Sequence, residues 1–146
     1  LENVWRNRQK ELVLKSIDEM LILASLVEKE TANHKEKSQI AGVFLRRLKK
    51  GMRLQTDASI VYALGNKYTG KLTKKDLKID SPYNTYKNHG LPPGAIGSVG
   101  AESLYAASHP DNSQSLYFVS KKDGTHAFAD TYKGHQKNIN KYLNNL

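Results

Sequence analysis

Cysteine is absent from the 146 residues. That excludes a disulfide scaffold, a thiol nucleophile and Cys-ligated zinc, and it leaves the compartment open, because exported proteins can also lack cysteine. Long apolar runs are missing too. The longest, Met20 to Val27, falls far short of the ~20 residues that cross a bilayer, and no signal peptide opens the chain. The sequence starts at Leu1 without an initiator methionine, so the expectation is a piece of a longer protein whose targeting or membrane segment lies outside it. The five histidines, His34, His89, His109, His126 and His135, never take an H-E-x-x-H or comparable ligand spacing, so no metal and no cofactor are expected. A G-x-S-x-G elbow, a Walker loop and a dinucleotide fingerprint are likewise absent. There is no repeat, no low-complexity tract and no obvious domain break, and the length suits one domain. Acidic residues are scarce: 14 against 23 Lys and Arg, a net charge of +9. Such a surface favours a polyanion, whether nucleic acid, an anionic membrane face or an anionic cell wall. The basic residues are scattered and no nucleic-acid motif is present, so nucleic acid is not the expected partner.

What is present is organised around Leu23-Ala24-Ser25-Leu26-Val27-Glu28-Lys29-Glu30-Thr31, an apolar helical run ending in two carboxylates. Ile17, Met20, Leu23, Ala24 and Val27 recur at spacings of three and four, a core-facing stripe. Glu28 and Glu30 lie roughly 200° apart on a helix and cannot share a face. Leu23, Leu26 and Glu30 follow the edge of the stripe at i, i+3 and i+7, which puts Glu30 beside buried apolar surface. A carboxyl group there loses hydration of its charged form, its pKa rises, and it suits general acid catalysis near neutral pH. The placement of Glu28 is open, and two charges at an exposed helix end would also satisfy the pattern.

Along the chain, residues 1 to 15 are polar and basic with one Trp5, and read as a linker or the end of a preceding region. Ser16-Ile17-Asp18-Glu19 fits a capping box that starts the organising helix; a start near Gln9 is the alternative. A second helix is expected from about Lys35 to Lys50, with Ile40, Val43, Phe44 and Leu48 inward, Gly51 as its stop, and a solvated basic end including Arg46 and Arg47. Met52 to Gln55 alternates like a short strand. Thr56 or Asp57 caps a helix carrying Ile60, Val61 and Leu64 that ends at Gly65. Gly65 to Gly100 is loop-rich, with a short helical turn near Thr73, and Pro92 and Pro93 make it an ordered connection of the kind that carries function. Ser98 to Ser108 reads as a helix with Ala101, Leu104 and Ala107 inward. Leu116 to Val119 and Thr125 to Phe128 flank an Asp-Gly turn as a β-hairpin. A last helix spans roughly Thr131 to Leu143, with Tyr132, Ile139 and Leu143 inward. The fold class is α+β: several helices with a small antiparallel sheet, residues 16 to 146 forming one domain.

Tyr83, Asn84 and Tyr86 combine flat apolar faces with hydrogen-bonding groups, as sugars and bases require, and Gln55, Thr56 and Asp57 form a polar turn between apolar segments. One carboxylic acid beside a core, aromatic and amide-bearing loops and a basic surface suit glycan cleavage, although a hydrolase would use two carboxylates and Asp57 is the only other in a suggestive context.

The Leu23 to Thr31 run, Ala41-Gly42-Val43-Phe44, Arg47-Leu48, Gly51-Met52-Arg53-Leu54-Gln55-Thr56-Asp57, Tyr83-Asn84-Thr85-Tyr86, Gly90-Leu91-Pro92-Pro93-Gly94, His109-Pro110, Leu116-Tyr117-Phe118-Val119 and Gly124-Thr125-His126-Ala127-Phe128 together closely resemble the MltG (YceG-like) endolytic murein transglycosylases, over about residues 20 to 143. The resemblance implies cleavage between N-acetylmuramic acid and N-acetylglucosamine in nascent peptidoglycan, leaving 1,6-anhydromuramyl ends. It assigns the catalytic role to Glu30, and cleft positions to Gln55, Thr56, Asp57, Tyr83, Asn84, Tyr86 and His126. It implies no cofactor and no metal, peptidoglycan strands and the cell-wall synthesis machinery as partners, and action at the extracytoplasmic membrane face through an anchor that precedes this segment. Ala58 and Val99 stand where the family often has proline. A non-catalytic peptidoglycan-binding module is the alternative reading.

Overall fold

In the computed structural model, which describes residues 1–143, a short helix α1 (Glu2–Arg6) precedes the organising helix α2 (Ile17–Glu30). Ser16 is extended, and its Oγ accepts the Glu19 N–H at 3.1 Å. The Glu19 carboxylate reaches one residue further back than a reciprocal box requires, accepting the Lys15 N–H at 2.8 Å. Both ends of the cap therefore fix the start at Ile17, not near Gln9. The preceding residues are docked on the body: Gln9 N–H donates to the Ser108 carbonyl at 3.0 Å, the Gln9 amide donates to the Pro110 carbonyl, Leu14 is buried, and Val4 and Trp5 pack against the core.

The core sits between α2, α3 (Lys37–Lys50) and α5 (Ala101–Ser108), which pack on one another. Met20, Leu23, Ala24, Leu26 and Val27 of α2 meet Ile40, Ala41 and Phe44 of α3. Burying each large side chain contributes about 1.5–3 kcal/mol. Gly51 ends α3 in the left-handed region at φ 73°. The small face of α5 allows close approach, but its phase differs from the expected one: Ser103, Ala106, Ala107 and Ser108 are buried, Leu104 is half-buried and Ala101 is exposed. Polar bonds between Ser103, Gly100 and the end of α2, described below, set that rotation.

No strand forms over Met52 to Gln55. Gln55 is left-handed at φ 52°, and the Arg53 and Leu54 carbonyls are taken by the Arg47 side chain. The turn leads into α4 (Asp57–Leu64), with Thr56 at the cap position but without a side-chain cap bond. The long connection to α5 carries a short 3-10 turn at Asp76–Lys78. The hairpin pairs β1 (Tyr117–Ser120) with β2 (His126–Ala129), Phe118 opposite Phe128 and Ser120 opposite His126. Phe118 meets Phe44 edge-on at 5.7 Å, fastening the hairpin to α3. Helix α6 (Tyr132–Tyr142), capped by Thr131, covers the hairpin. Tyr132 is exposed rather than inward, whereas Ile139 and Leu143 face a cavity. The architecture is α+β.

Candidate active site

A cavity of about 940 Å³ opens where the end of α2, the turn before α4, the hairpin and α6 converge. Glu30 is the last residue of α2, and Thr31 leaves the helix extended (φ −149°, ψ 139°). The backbone thus turns away just after Glu30 and leaves its side chain on the cavity wall. Among the described residues no hydrogen bond reaches the Glu30 carboxyl. Burial pushes its pKa up, the Asp57 carboxylate pushes it further, and His126 opposes them. A carboxyl group without donors, in poorly hydrated surroundings and beside a second carboxylate, retains its proton to higher pH than a free glutamate.

Two residues earlier, Glu28 has the opposite environment. It accepts the Gly100 N–H at 2.8 Å and the Ser103 hydroxyl at 2.9 Å, and lies 3.5 Å from the Lys37 ammonium. These donors, with the Gly100 amide first, hold its carboxyl below the usual glutamate range. Lys37 is buried and also donates to Ser103 at 2.9 Å. Glu28 therefore ties α2 to α3 and α5, and lies outside the cavity.

The other cavity walls bear paired polar groups. The Tyr86 hydroxyl donates to Asp57, and burial followed by that bond holds the phenol well above its ordinary pKa. Gln55 is exposed on the wall beside Asp57. Its left-handed backbone is uncommon for a residue with a side chain, and such geometry concentrates at functional turns. On β2, His126 is gripped twice by one carboxylate: its N–H by Glu36 Oε2 and its Nδ1 by Glu36 Oε1, both at 3.0 Å. That contact fixes the ring orientation and leaves Nε2 as the free nitrogen. Asn33 reaches the Gly124 carbonyl at 3.5 Å, joining the segment after Glu30 to the hairpin turn.

Of the residues singled out by sequence, Glu30, Gln55, Asp57, Tyr86 and His126 line one cavity. Thr56, Tyr83 and Asn84 do not. Thr56 is buried behind the turn, where its N–H donates to Thr85 Oγ1. Asn84 is buried, its amide donating to the Leu77 and Ile79 carbonyls while its Oδ1 accepts the Tyr86 N–H. Its hydrogen-bonding capacity goes to shaping the loop that presents Tyr86. Tyr83 packs on Tyr62 at 4.8 Å.

The sequence pattern singles out neither Arg47 and His135 on the cavity wall nor Glu36, which holds His126 from behind it. The basic run at the end of α3 predicts a solvated Arg47, yet it is buried on the cavity wall. Its Nε donates to the Leu116 carbonyl at 2.7 Å, and its Nη1 to Arg53 and Leu54 carbonyls at 3.0 and 3.4 Å. Its position one turn after Phe44, on the edge of the α3 stripe, was the available signal. His135 also lines the cavity and stacks on Tyr117 at 5.0 Å; burial, then the Arg47 charge, lowers its pKa.

Residues 1–141 match the model of a family described as YceG-like. The chain is 48% identical over 128 residues to an endolytic murein transglycosylase of Bacillus subtilis, covering 88% of this chain and 35% of that protein. It is 37% identical over 134 residues to an endolytic murein transglycosylase of Streptococcus pneumoniae, covering 88% of this chain and 24% of the relative. Among solved structures, a YceG-like protein of Listeria monocytogenes superposes with a TM-score of 0.77 at 47% identity, over 84% of this chain and 39% of the other. The chain thus spans about a third or less of the length of these curated relatives.

Proposed function

Because this chain belongs to the YceG-like family, we propose that it is the catalytic part of an endolytic peptidoglycan lytic transglycosylase, with Glu30 serving in turn as acid and base. The observation that carries the reading is the Glu30 carboxyl itself: on the wall of a large cavity, without donors, and biased toward its protonated form by burial, which outweighs the opposing His126, with Asp57 adding to the effect of burial. Protonated, Glu30 donates to the glycosidic oxygen as the bond to C1 of muramic acid breaks and positive charge develops on the ring. The resulting carboxylate then takes the proton of the C6 hydroxyl, whose oxygen closes on C1. The proton count balances without water and without a covalent enzyme intermediate. The Asp57 charge, kept in place by Tyr86, supports bond cleavage twice, by helping to keep Glu30 protonated and by stabilising the positive charge that develops on the sugar. Gln55, Tyr86 and His126 supply wall contacts for sugar hydroxyl and amide groups; Thr56, Tyr83 and Asn84 act behind the wall.

The names of the relatives support the murein substrate. Action on the extracytoplasmic side, attachment through a membrane anchor elsewhere in the full protein and contact with wall-synthesis enzymes extend this reading. Among the described residues no helix is long and apolar enough to cross a membrane. The test is digestion of purified peptidoglycan followed by mass spectrometry of the products. Anhydromuramyl products from the unaltered chain and from Glu28→Gln, but not from Glu30→Gln, are expected. Reducing-end products would replace the C6 hydroxyl by water as the attacking group, and binding without products would favour a non-catalytic wall-binding module.

A further inference from the structure

Three basic side chains of α3, Lys37, Arg46 and Arg47, are buried or half-buried, and two of them have a carboxylate partner. Lys37 lies 3.5 Å from Glu28, and Arg46 lies 3.0 Å from Asp111. Arg47 is 8% exposed, yet among the described residues it has no carboxylate within ion-pair distance. Its Nε and Nη1 are used on the carbonyls of Leu116, Arg53 and Leu54, whereas Nη2 has no hydrogen bond among the described residues. The side chain lines the same cavity as Glu30. Beside it, Tyr117 lies 5.0 Å under the guanidinium and stacks on His135. His135 Nδ1 is shut off from solvent without a partner, a second polar group on this wall left unsatisfied. A buried cation with carbonyl but no anionic partners is costly, and an anion entering the cavity offsets that cost.

We propose that the Arg47 Nη2 group, with His135 beside it on the cavity wall and Tyr117 backing both side chains, is a carboxylate-binding subsite that holds an acidic substituent of the glycan during cleavage. The inference rests on the murein reading above and adds a point of recognition to it. A glycan of N-acetylhexosamines alone carries no charge; muramic acid carries a lactyl carboxyl, either free or extended by a peptide stem that ends in carboxylates. The shared chemistry is a carboxylate near the muramyl ring. A free lactyl group and a stem are its two sources.

The experiment measures equilibrium binding of glycan oligomers to the full chain carrying Glu30→Gln, so that no turnover intervenes. Four ligands are compared: oligomers with stems, the same oligomers with stem carboxyls converted to carboxamides, oligomers stripped of stems, and stripped oligomers with lactyl carboxamides. At least about tenfold tighter binding of one carboxylate form than of its carboxamide is expected, and the pair that differs identifies the source. The preference should vanish when Arg47→Met is added and persist when exposed Lys50→Met is added instead. The Arg47 guanidinium nitrogen resonances should shift with the carboxylate ligand and not with its carboxamide, a readout that needs no Arg47 variant to fold. Equal affinity within both pairs, unmoved Arg47 resonances, or a preference that survives Arg47→Met overturns the subsite and leaves the glycan reading standing. Absence of binding to every oligomer overturns the glycan reading itself.

Discussion

Two glutamates separated by one residue should respond in opposite ways to the same substitution. In Glu28→Gln, the amide oxygen can still accept from Gly100 and Ser103, but the charge facing Lys37 is gone. The Lys37 side chain is 3% exposed and that of Glu28 is 32% exposed. Removing one partner of a fully buried pair costs about 3–5 kcal/mol; hydration of the Glu28 side brings the expected cost to about 2 kcal/mol. For a domain of this size that lowers Tm by roughly 5–8 °C. Because the folded pKa of Glu28 is depressed, its contribution is present above the unfolded pKa and is lost as pH falls through the folded one. The Tm deficit of Glu28→Gln should therefore shrink as the medium is acidified toward pH 4. Glu30 behaves inversely. Its folded pKa is raised, so the folded state binds the proton more tightly and stability declines as pH rises from the unfolded to the folded value. Glu30→Gln removes that penalty, and its Tm at pH 7 should equal or exceed that of the unaltered chain while murein cleavage falls by about 100-fold or more. Melting curves at pH 4 and 7, with digestion assays well below both transitions, read the two effects separately. A Glu28→Gln protein with unchanged Tm, or one folded but inactive, would refute the division of labour.

Asp57→Asn removes a negative charge that helps keep Glu30 protonated, so the alkaline limb of kcat/KM should move to lower pH; an unmoved or raised limb contradicts the role given to Asp57. Gly42→Ala places a Cβ 1.9 Å from Asp111 Oδ1 and 2.9 Å from both Arg46 Nη atoms, which breaks the Arg46–Asp111 clasp and should lower stability by about 1–2 kcal/mol. In an Asp111→Ala background the same change should instead gain about 0.5–1 kcal/mol, the ordinary benefit of alanine within a helix, and urea unfolding of the four proteins measures the sign reversal.

The parts legible in the sequence were those governed by local periodicity. The stripe of α2 and its Ser16 cap depend on neighbours three and four residues away, and the same phase put Glu30 at the edge of the core. The hairpin was legible from its alternation and its Asp-Gly turn. Long-range polar bonds were not legible. Arg47 resembles any basic helix end until its acceptors are known, and they lie at residues 53, 54 and 116. Glu36 meets His126 across 90 positions. The buried face of α5 departs from its apolar periodicity because Ser103 and Gly100 bind Glu28, so a polar contact sets a rotation that apolar residues alone would set differently. Asn84 suits a sugar contact and a loop brace equally well by residue type; its two carbonyl partners, at residues 77 and 79, exist only in the folded loop.

These long-range bonds concentrate on one element. Helix α3 spans about 20 Å; at its start Glu36 grips His126 on β2, and near its end Arg47 grips the turn before α4 and the entry to β1. Arg46 holds the segment that leads from α5 to the hairpin through the Asp111 and Ser115 carbonyls. Lys37 joins the first turn of the same helix to Glu28, two residues before the proposed acid Glu30. The apolar core fixes how α2, α3 and α5 pack, but the cavity lies beside that core, between a loop and a hairpin with few buried apolar side chains of their own. Hydrophobic burial is non-directional, whereas a hydrogen bond constrains both distance and angle. Polar attachments to a single rigid helix are therefore what sets the position of His126, Gln55 and Asp57 relative to Glu30, and a small displacement there is the kind to which proton transfer is most sensitive.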